Sequence, residues 1–176
     1  MKKPVVGIVM GGDSDLAVMK ESAEMLEKFK IPYEMIISSA HRSIHKTMKY
    51  AGTAEKRGLE VLIVGAGGAA HLAGVIAALT SLPVIGVPME TKFLKGQDSL
   101  YSIVQMPKGI PVATMSIGAG GAANAGILAS QIIALSCPAT MKRLKAYKKE
   151  LGKSVSEKSE KLKKLGYEKY LKRKGD

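Results

Sequence analysis

Five short apolar runs, each followed by a stretch with helical spacing, constrain this chain more than any other feature. They are Val5 to Met10, Tyr33 to Ile37, Val61 to Val64, Val84 to Val87 and Val112 to Ile117. Strict apolar–polar alternation is missing from them, as in strands covered on both faces. Strand and helix in alternation predict a parallel five-stranded sheet in a three-layer α/β/α sandwich.

The arrangement that fits is flavodoxin-like, with strand order 2-1-3-4-5. With 176 residues the chain accommodates one such domain over 1–138, followed by a helical extension over 139–176. The first helix is expected from Ser14 or Asp15, capped by a side-chain oxygen, to a stop before Pro32. The second runs from Ser43 to Arg57, ending at Gly58. A third, carrying Ala70, Leu72, Val75, Ile76 and Leu79, is apolar on nearly every side and is expected to be buried. Asp98 is expected to cap a short helix ending before Pro107. Ala119 to Leu135 reads as a helix of small residues, and Pro138 suits the first turn of another. In the extension, Gly152 and the Ser154-x-x-Glu157 capping box predict a break midway.

The net charge of +12 raises the question of nucleic acid, but it is unevenly placed. Residues 139–176 hold 14 Lys or Arg against 5 Asp or Glu, leaving 13 against 10 elsewhere. The tail offers only Tyr147, Tyr167 and Tyr170 for stacking on bases, so a solvated helix face is the favoured reading and no nucleic-acid partner is expected. The single Cys137 excludes a disulfide framework and a multi-cysteine zinc site, and fits a reducing compartment. The opening MKKPVVGIVMGG is too short in apolar residues for a signal core or a membrane span, so a soluble, cytoplasmic protein without membrane contact is expected.

In an open parallel sheet, ligands bind beyond the carboxyl ends of the strands, where the strand order reverses. That rule selects Gly11 to Asp15, Ser38 to Arg42, and Gly65 to Leu72. Ser14 and the first-helix amides can receive an anion, and Arg42 adds a planar cationic fork for phosphate or carboxylate. Asp15 suits ribose hydroxyls, although helix capping equally accounts for Ser14 and Asp15. His41 alone in the first two loops titrates near neutrality as a free side chain, and is the candidate general acid and base. His71 is a candidate ligand contact or support; His45 is expected on an exposed helix face. Three histidines without an accompanying carboxylate cluster give no metal site, and no P-loop or Ser-His-Asp signature is present. Gly65-x-Gly67-x-x-Ala70 matches a dinucleotide fingerprint, with Glu90 downstream as its acid, but it follows the third strand rather than the first. Gly118 to Ala123 repeats the glycine pattern of 65–70, and close helix–sheet packing is the favoured account of this second copy.

The sequence resembles the PurE family, especially the class I 5-(carboxyamino)imidazole ribonucleotide mutases. The resemblance spans nearly the whole chain. It is carried by Ile8-Val-Met-Gly-Gly-Asp-Ser-Asp15, Ser39-Ala-His-Arg42, Gly65-Ala-Gly-Gly-Ala-Ala-His-Leu72, Asp98-Ser-Leu-Tyr-Ser-Ile-Val-Gln-Met-Pro107 and Gly109-Ile-Pro111. It implies a homo-octamer acting on a small ribonucleotide with transient CO2, and no cofactor or metal. The implied catalytic residue is His41. The implied substrate contacts are Gly12, Ser14, Asp15, Ser39, Arg42, Gly67, Gly68, His71 and Leu72, with amides around Gly67 and Gly68 stabilising a migrating carboxylate. Arg42 and Ala69-Ala70-His71 favour the mutase over the branch that uses free CO2. The sequence departs from the family at Gly12, where Ser is usual, at Ser43-Ile44-His45, in place of a Thr-Pro-acid run, and at Ala73, in place of Pro. An oxidoreductase on a dinucleotide and a basic RNA-binding module are the rival readings.

Overall fold

Valine, isoleucine and leucine fill the inner strands because both faces of each strand meet a helix. In the computed structural model, which describes residues 3–172, the elements follow in the order β1 (Val6–Met10), α1 (Leu16–Lys28), β2 (Tyr33–Ile37), α2 (Ile44–Thr53), β3 (Val61–Ala66), α3 (Leu72–Ala77), β4 (Val84–Pro88), α4 (Gln97–Val104), β5 (Ala113–Thr114), α5 (Ala119–Ala134) and α6 (Pro138–Lys172). Met1, Lys2 and the last four residues of the expected extension, 173–176, lie outside the described residues. The sheet order is β2-β1-β3-β4-β5 with every pairing parallel. Val6 pairs with both Tyr33 and Val61, so the order reverses between β1 and β3. This is the flavodoxin-like three-layer sandwich.

Period-two side-chain alternation divides the core in two. Ile8, Met10, Ile63 and Ile85 pack with Met19 and Leu26 of α1 and with Ala122, Ala125 and Ala129 of α5. Val9, Leu62 and Val64 pack on the other face with Ala51, Ala73, Ile76 and Ile103 from α2, α3 and α4. Fully burying each larger aliphatic side chain contributes about 1.5–3 kcal/mol.

The second glycine-rich copy is a packing device. A Cβ on Gly126 would sit 2.7 Å from the Ser22 carbonyl of α1, and one on Gly121 would collide with the Ser116 carbonyl. Ser22 Oγ donates to the Ala122 carbonyl at 2.6 Å across the same seam.

Several expected boundaries change. β3 continues through Gly65 and Ala66, and a Gly65 Cβ would meet Met19 Sδ at 2.5 Å. α3 has only six residues, starting after His71; Leu72, Ala73 and Ile76 are buried, but Ala78 beyond its end is exposed. β5 shrinks to Ala113–Thr114, because Pro111 has no N–H and only single bonds, Met115 N–H to Gly86 and Gly118 N–H to Pro88, continue beyond it. α4 is preceded by Gly96 at φ +89, and Asp98 accepts from Thr91 instead of capping. α6 runs straight past Gly152 and the Ser154–Glu157 box, helped by a Lys153–Glu157 pair at 3.7 Å, and departs from helical geometry at Gly166, φ +72 and ψ 159.

Candidate functional site

The reversal of strand order leaves a gap at the carboxyl ends of β1, β2 and β3, and the three loops meet there around a cleft of about 350 Å³. Gly12, Ser14, Asp15, Ser39, His41, Arg42, Gly67, His71 and Leu72 all line it, and Met89 and Glu90 close the side beneath β4. Gly68 does not. A larger cavity of about 850 Å³ lies at the opposite ends of the strands, between Leu79–Pro83 and Gly109–Pro111. Its only ionisable lining residue is Glu55, so it lacks the acid–base and cationic groups that gather in the smaller cleft.

The β1 loop is shaped by two glycines and one acid. Gly12 is extended, at φ −159 and ψ 168, which any residue can adopt. Ser14 and Asp15 do not cap α1 through their side chains, contrary to expectation. The Asp15 carboxylate instead turns back toward the Gly11 and Gly12 amides and accepts from the Ser14 hydroxyl at 3.2 Å. Burial is the largest influence on it and holds its carboxyl above the ordinary 3.8, although those donors pull the other way.

Serines wind the β2 loop into place. Ser38, fully buried, shares a 2.8 Å hydrogen bond with Thr47 of α2. Ser43 Oγ accepts from the Ser39 N–H at 2.9 Å and donates to the Ser39 carbonyl at 3.1 Å, while Ser39 Oγ accepts the Arg42 N–H at 3.1 Å. This closed turn projects His41 and Arg42. Arg42 donates through Nη2 to the Gly11 carbonyl at 3.0 Å, tying the β2 loop to the β1 loop and leaving most of its N–H groups for an anion.

His41 meets His71 from the β3 loop: Nε2 of the first lies 2.9 Å from Nδ1 of the second, with the rings nearly perpendicular at 88°. One nitrogen must carry the shared hydrogen and the other accept it. The two rings therefore share one hydrogen, and each orients the other. His71 is thus more than a loop residue, whereas His45 sits exposed on α2.

Gly68 is the site residue the structure places differently. Its φ is +69, and its N–H donates 2.9 Å into Ser99 Oγ of α4, behind the cleft. That amide is spent and is not offered to a carboxylate. Ser99 and Ser102 belong to the Asp98–Pro107 segment, which the sequence marked by pattern but not by contact.

The dinucleotide fingerprint fails on geometry. Gly65 is inside β3, and residues 67–71 separate the strand from a six-residue helix, so no helix begins directly at the glycines to face a pyrophosphate. Of the tail's three tyrosines, Tyr147 is packed edge-on against Phe29 at 5.5 Å rather than free to stack on a base.

Known proteins agree with this geometry. An N5-carboxyaminoimidazole ribonucleotide mutase of Pyrococcus horikoshii is 55% identical over 170 residues, 97% of this chain and 95% of that one. A phosphoribosylaminoimidazole carboxylase of Schizosaccharomyces pombe is 51% identical over 97% of this chain, which spans only 30% of that longer protein. The crystal structure of Treponema denticola PurE superposes with a TM-score of 0.81 at 28% identity, covering 91% of this chain and 99% of that one. The AIR carboxylase family model matches residues 5–154, and with the PurE fold and more than half of the residues shared with a mutase, the chain belongs to the AIR carboxylase family.

Proposed function

We propose that this chain is an enzyme of purine biosynthesis, converting 5-carboxyamino-1-(5-phospho-D-ribosyl)imidazole (N5-CAIR) to 5-amino-1-(5-phospho-D-ribosyl)imidazole-4-carboxylate (CAIR). The observation that carries the reading is the His41–His71 contact, placed in one cleft with Arg42 and Asp15. The reaction needs one proton delivered and one removed, and no redox step. The carbamate C–N bond breaks as its nitrogen takes a proton, giving CO2 and the aminoimidazole ribonucleotide. The ring C4 then attacks CO2, and the proton on C4 leaves with the restored aromatic ring.

His41 delivers the first proton and takes the second, with His71 orienting its ring through their hydrogen bond. Arg42, Ser14 and the Gly12 amide receive the phosphate, Asp15 the ribose hydroxyls, and Ser39 supports the phosphate side. Gly67, His71 and Leu72 wall the space where CO2 is held. Keeping CO2 beside C4 makes its recapture effectively intramolecular, an advantage worth several kcal/mol of barrier, on the order of 7–11 in well-oriented systems. The scheme uses no metal, nucleoside triphosphate or redox cofactor.

A carboxylase drawing on free CO2 is the second reading, since a relative more than 50% identical bears that name. Purified protein given N5-CAIR, or the uncarboxylated ribonucleotide with bicarbonate, separates the two. Fast CAIR formation from N5-CAIR alone supports the mutase, efficient use of bicarbonate the carboxylase, and inactivity with both removes the function.

We read the working form as a homo-octamer in the cytoplasm, built on a domain over 1–138 and an extension over 139–176. Phe93 is 87% exposed and Tyr101 61% in the single chain, apolar area that an assembly would cover. No helix among the described residues is long and apolar enough to cross a membrane.

A further inference from the structure

We propose that Ser99 and Ser102 of α4 are positioning residues that hold the Gly67–Ala69 turn closed around CO2 during the reaction; this rests on the mutase reading above. The two serines stand three residues apart, on one face of the helix, and grip both sides of a single glycine. Ser99 is fully buried and accepts the Gly68 N–H at 2.9 Å. Ser102 Oγ donates its one hydrogen chiefly to the Asp98 carbonyl at 2.7 Å and shares it weakly with the Gly68 carbonyl at 3.3 Å.

Hydrogen bonds account for the conformation of Gly68: besides the two serines, the Ala70 N–H donates to its carbonyl at 2.8 Å. Its φ of +69 is a left-handed conformation, yet no atom lies within 4 Å of where its Cβ would be. Steric confinement does not impose this turn; the hydrogen bonds do. In a trans peptide the N–H and C=O point in opposite directions. With the Gly68 carbonyl held by the Ala70 N–H at 2.8 Å and by Ser102 of α4, the Ala69 N–H faces the opposite way, and Ala69, like Gly67, lines the cleft. The Ala69 N–H has no hydrogen-bond acceptor among the described residues. It replaces the Gly68 amide as the donor offered to a migrating carboxylate.

The grip is itself braced. Thr91 Oγ1 donates to Asp98 Oδ1 at 2.8 Å and accepts the Gly96 N–H at 3.1 Å, fixing the start of α4. Ile103, fully buried on the same helix, packs into the space left by Gly86 of β4. The turn is thus anchored to the sheet through α4.

The functional consequence is retention. When the turn loosens, CO2 escapes before C4 attacks it, and the enzyme releases uncarboxylated ribonucleotide and CO2, the carbamate having gained one proton. The test measures, for each N5-CAIR consumed, how much becomes CAIR and how much is released uncarboxylated. Ser99→Ala is expected to lower kcat about tenfold, leave KM within about twofold, and raise the released fraction. Ser102→Ala is expected to act in the same direction and more weakly. Gly68→Ala, which meets no neighbour but resists positive φ, is expected to leak as well. Circular dichroism and thermal melting check that each variant folds, and if Ser99→Ala does not, the other two carry the test. An unchanged partition in the folded variants overturns the proposal. Wild-type protein that makes no CAIR from N5-CAIR overturns the mutase reading beneath it, a distinguishable result.

Discussion

His41 and His71, thirty residues apart in the chain, share a 2.9 Å hydrogen bond between Nε2 of the first and Nδ1 of the second. The bond needs one protonated and one unprotonated nitrogen, so two imidazolium rings cannot keep it. Replacing His41 with Asn is expected to reduce turnover by about 10²–10⁴, the usual range for a lost general acid–base. His71→Asn is expected to cost less, about tenfold to a hundredfold, and to fall on kcat rather than KM, because His41 then loses the partner that orients its ring. A His71→Asn variant with wild-type kcat would remove His71 from the proton path.

Asp15 carries a pH dependence whose sign is fixed by burial. Its folded carboxyl lies above 3.8, so its contribution to stability is complete below 3.8 and is lost as pH rises through the higher folded value. Asp15→Asn is therefore expected to be more resistant to urea than wild type at pH 7, with the difference vanishing near pH 3.5. The same change is expected to raise KM about tenfold, since charge-assisted hydrogen bonds to the ribose are lost. Equal urea midpoints at pH 7 would refute the burial argument.

The resemblance to the PurE family implies Ser at the position of Gly12, and the space for that side chain exists. A Cβ there would lie 3.4 Å from Ser14 Oγ and 3.7 Å from Arg42 Nη2, on an extended backbone that tolerates any residue. Gly12→Ser is expected to leave the melting temperature unchanged and lower KM about two- to tenfold, the value of one added hydrogen bond to phosphate. Isothermal titration with a ribose-5-phosphate ligand gives the same comparison without turnover.

Gly126 marks the α1–α5 seam. Gly126→Ala drives a methyl group to 2.7 Å from the Ser22 carbonyl, a backbone atom that cannot swing aside. About 1–3 kcal/mol of destabilisation is expected in thermal or urea unfolding. Gly65→Ala is expected to cost less, because the ends of Met19 and Met89 that it meets are flexible.

The sheet order and the converging loops were legible because they rest on local rules: continuous apolar runs, helical spacing, and ligand binding where strand order reverses. Nine of the ten expected site residues accordingly line one cleft. Gly68 was misread because the state of its amide depends on Ser99, 31 residues away, and no spacing rule reports such a bond. The shortening of β5 escaped because an edge strand loses pairing through tertiary geometry rather than composition. The break in α6 was placed at Gly152 on the strength of a capping box, yet an interior Gly costs a helix only about 1 kcal/mol and neighbouring residues absorb it. The proton-sharing histidine pair was half visible: both rings were candidates, but their contact required the fold.

The long α6 has a thermodynamic consequence of its own. Thr140 and Leu144 are buried, but Leu151, Val155 and Leu162 are exposed, so beyond Tyr147 a lone chain holds the helix mostly by its own backbone bonds. Helices without tertiary support are marginal in water, and the proposed octamer would give this stretch a second side. If the proposed octamer forms, helicity in the tail becomes a concentration gauge: dilution that separates subunits would fray this segment first, well before the sheet or its cleft responds.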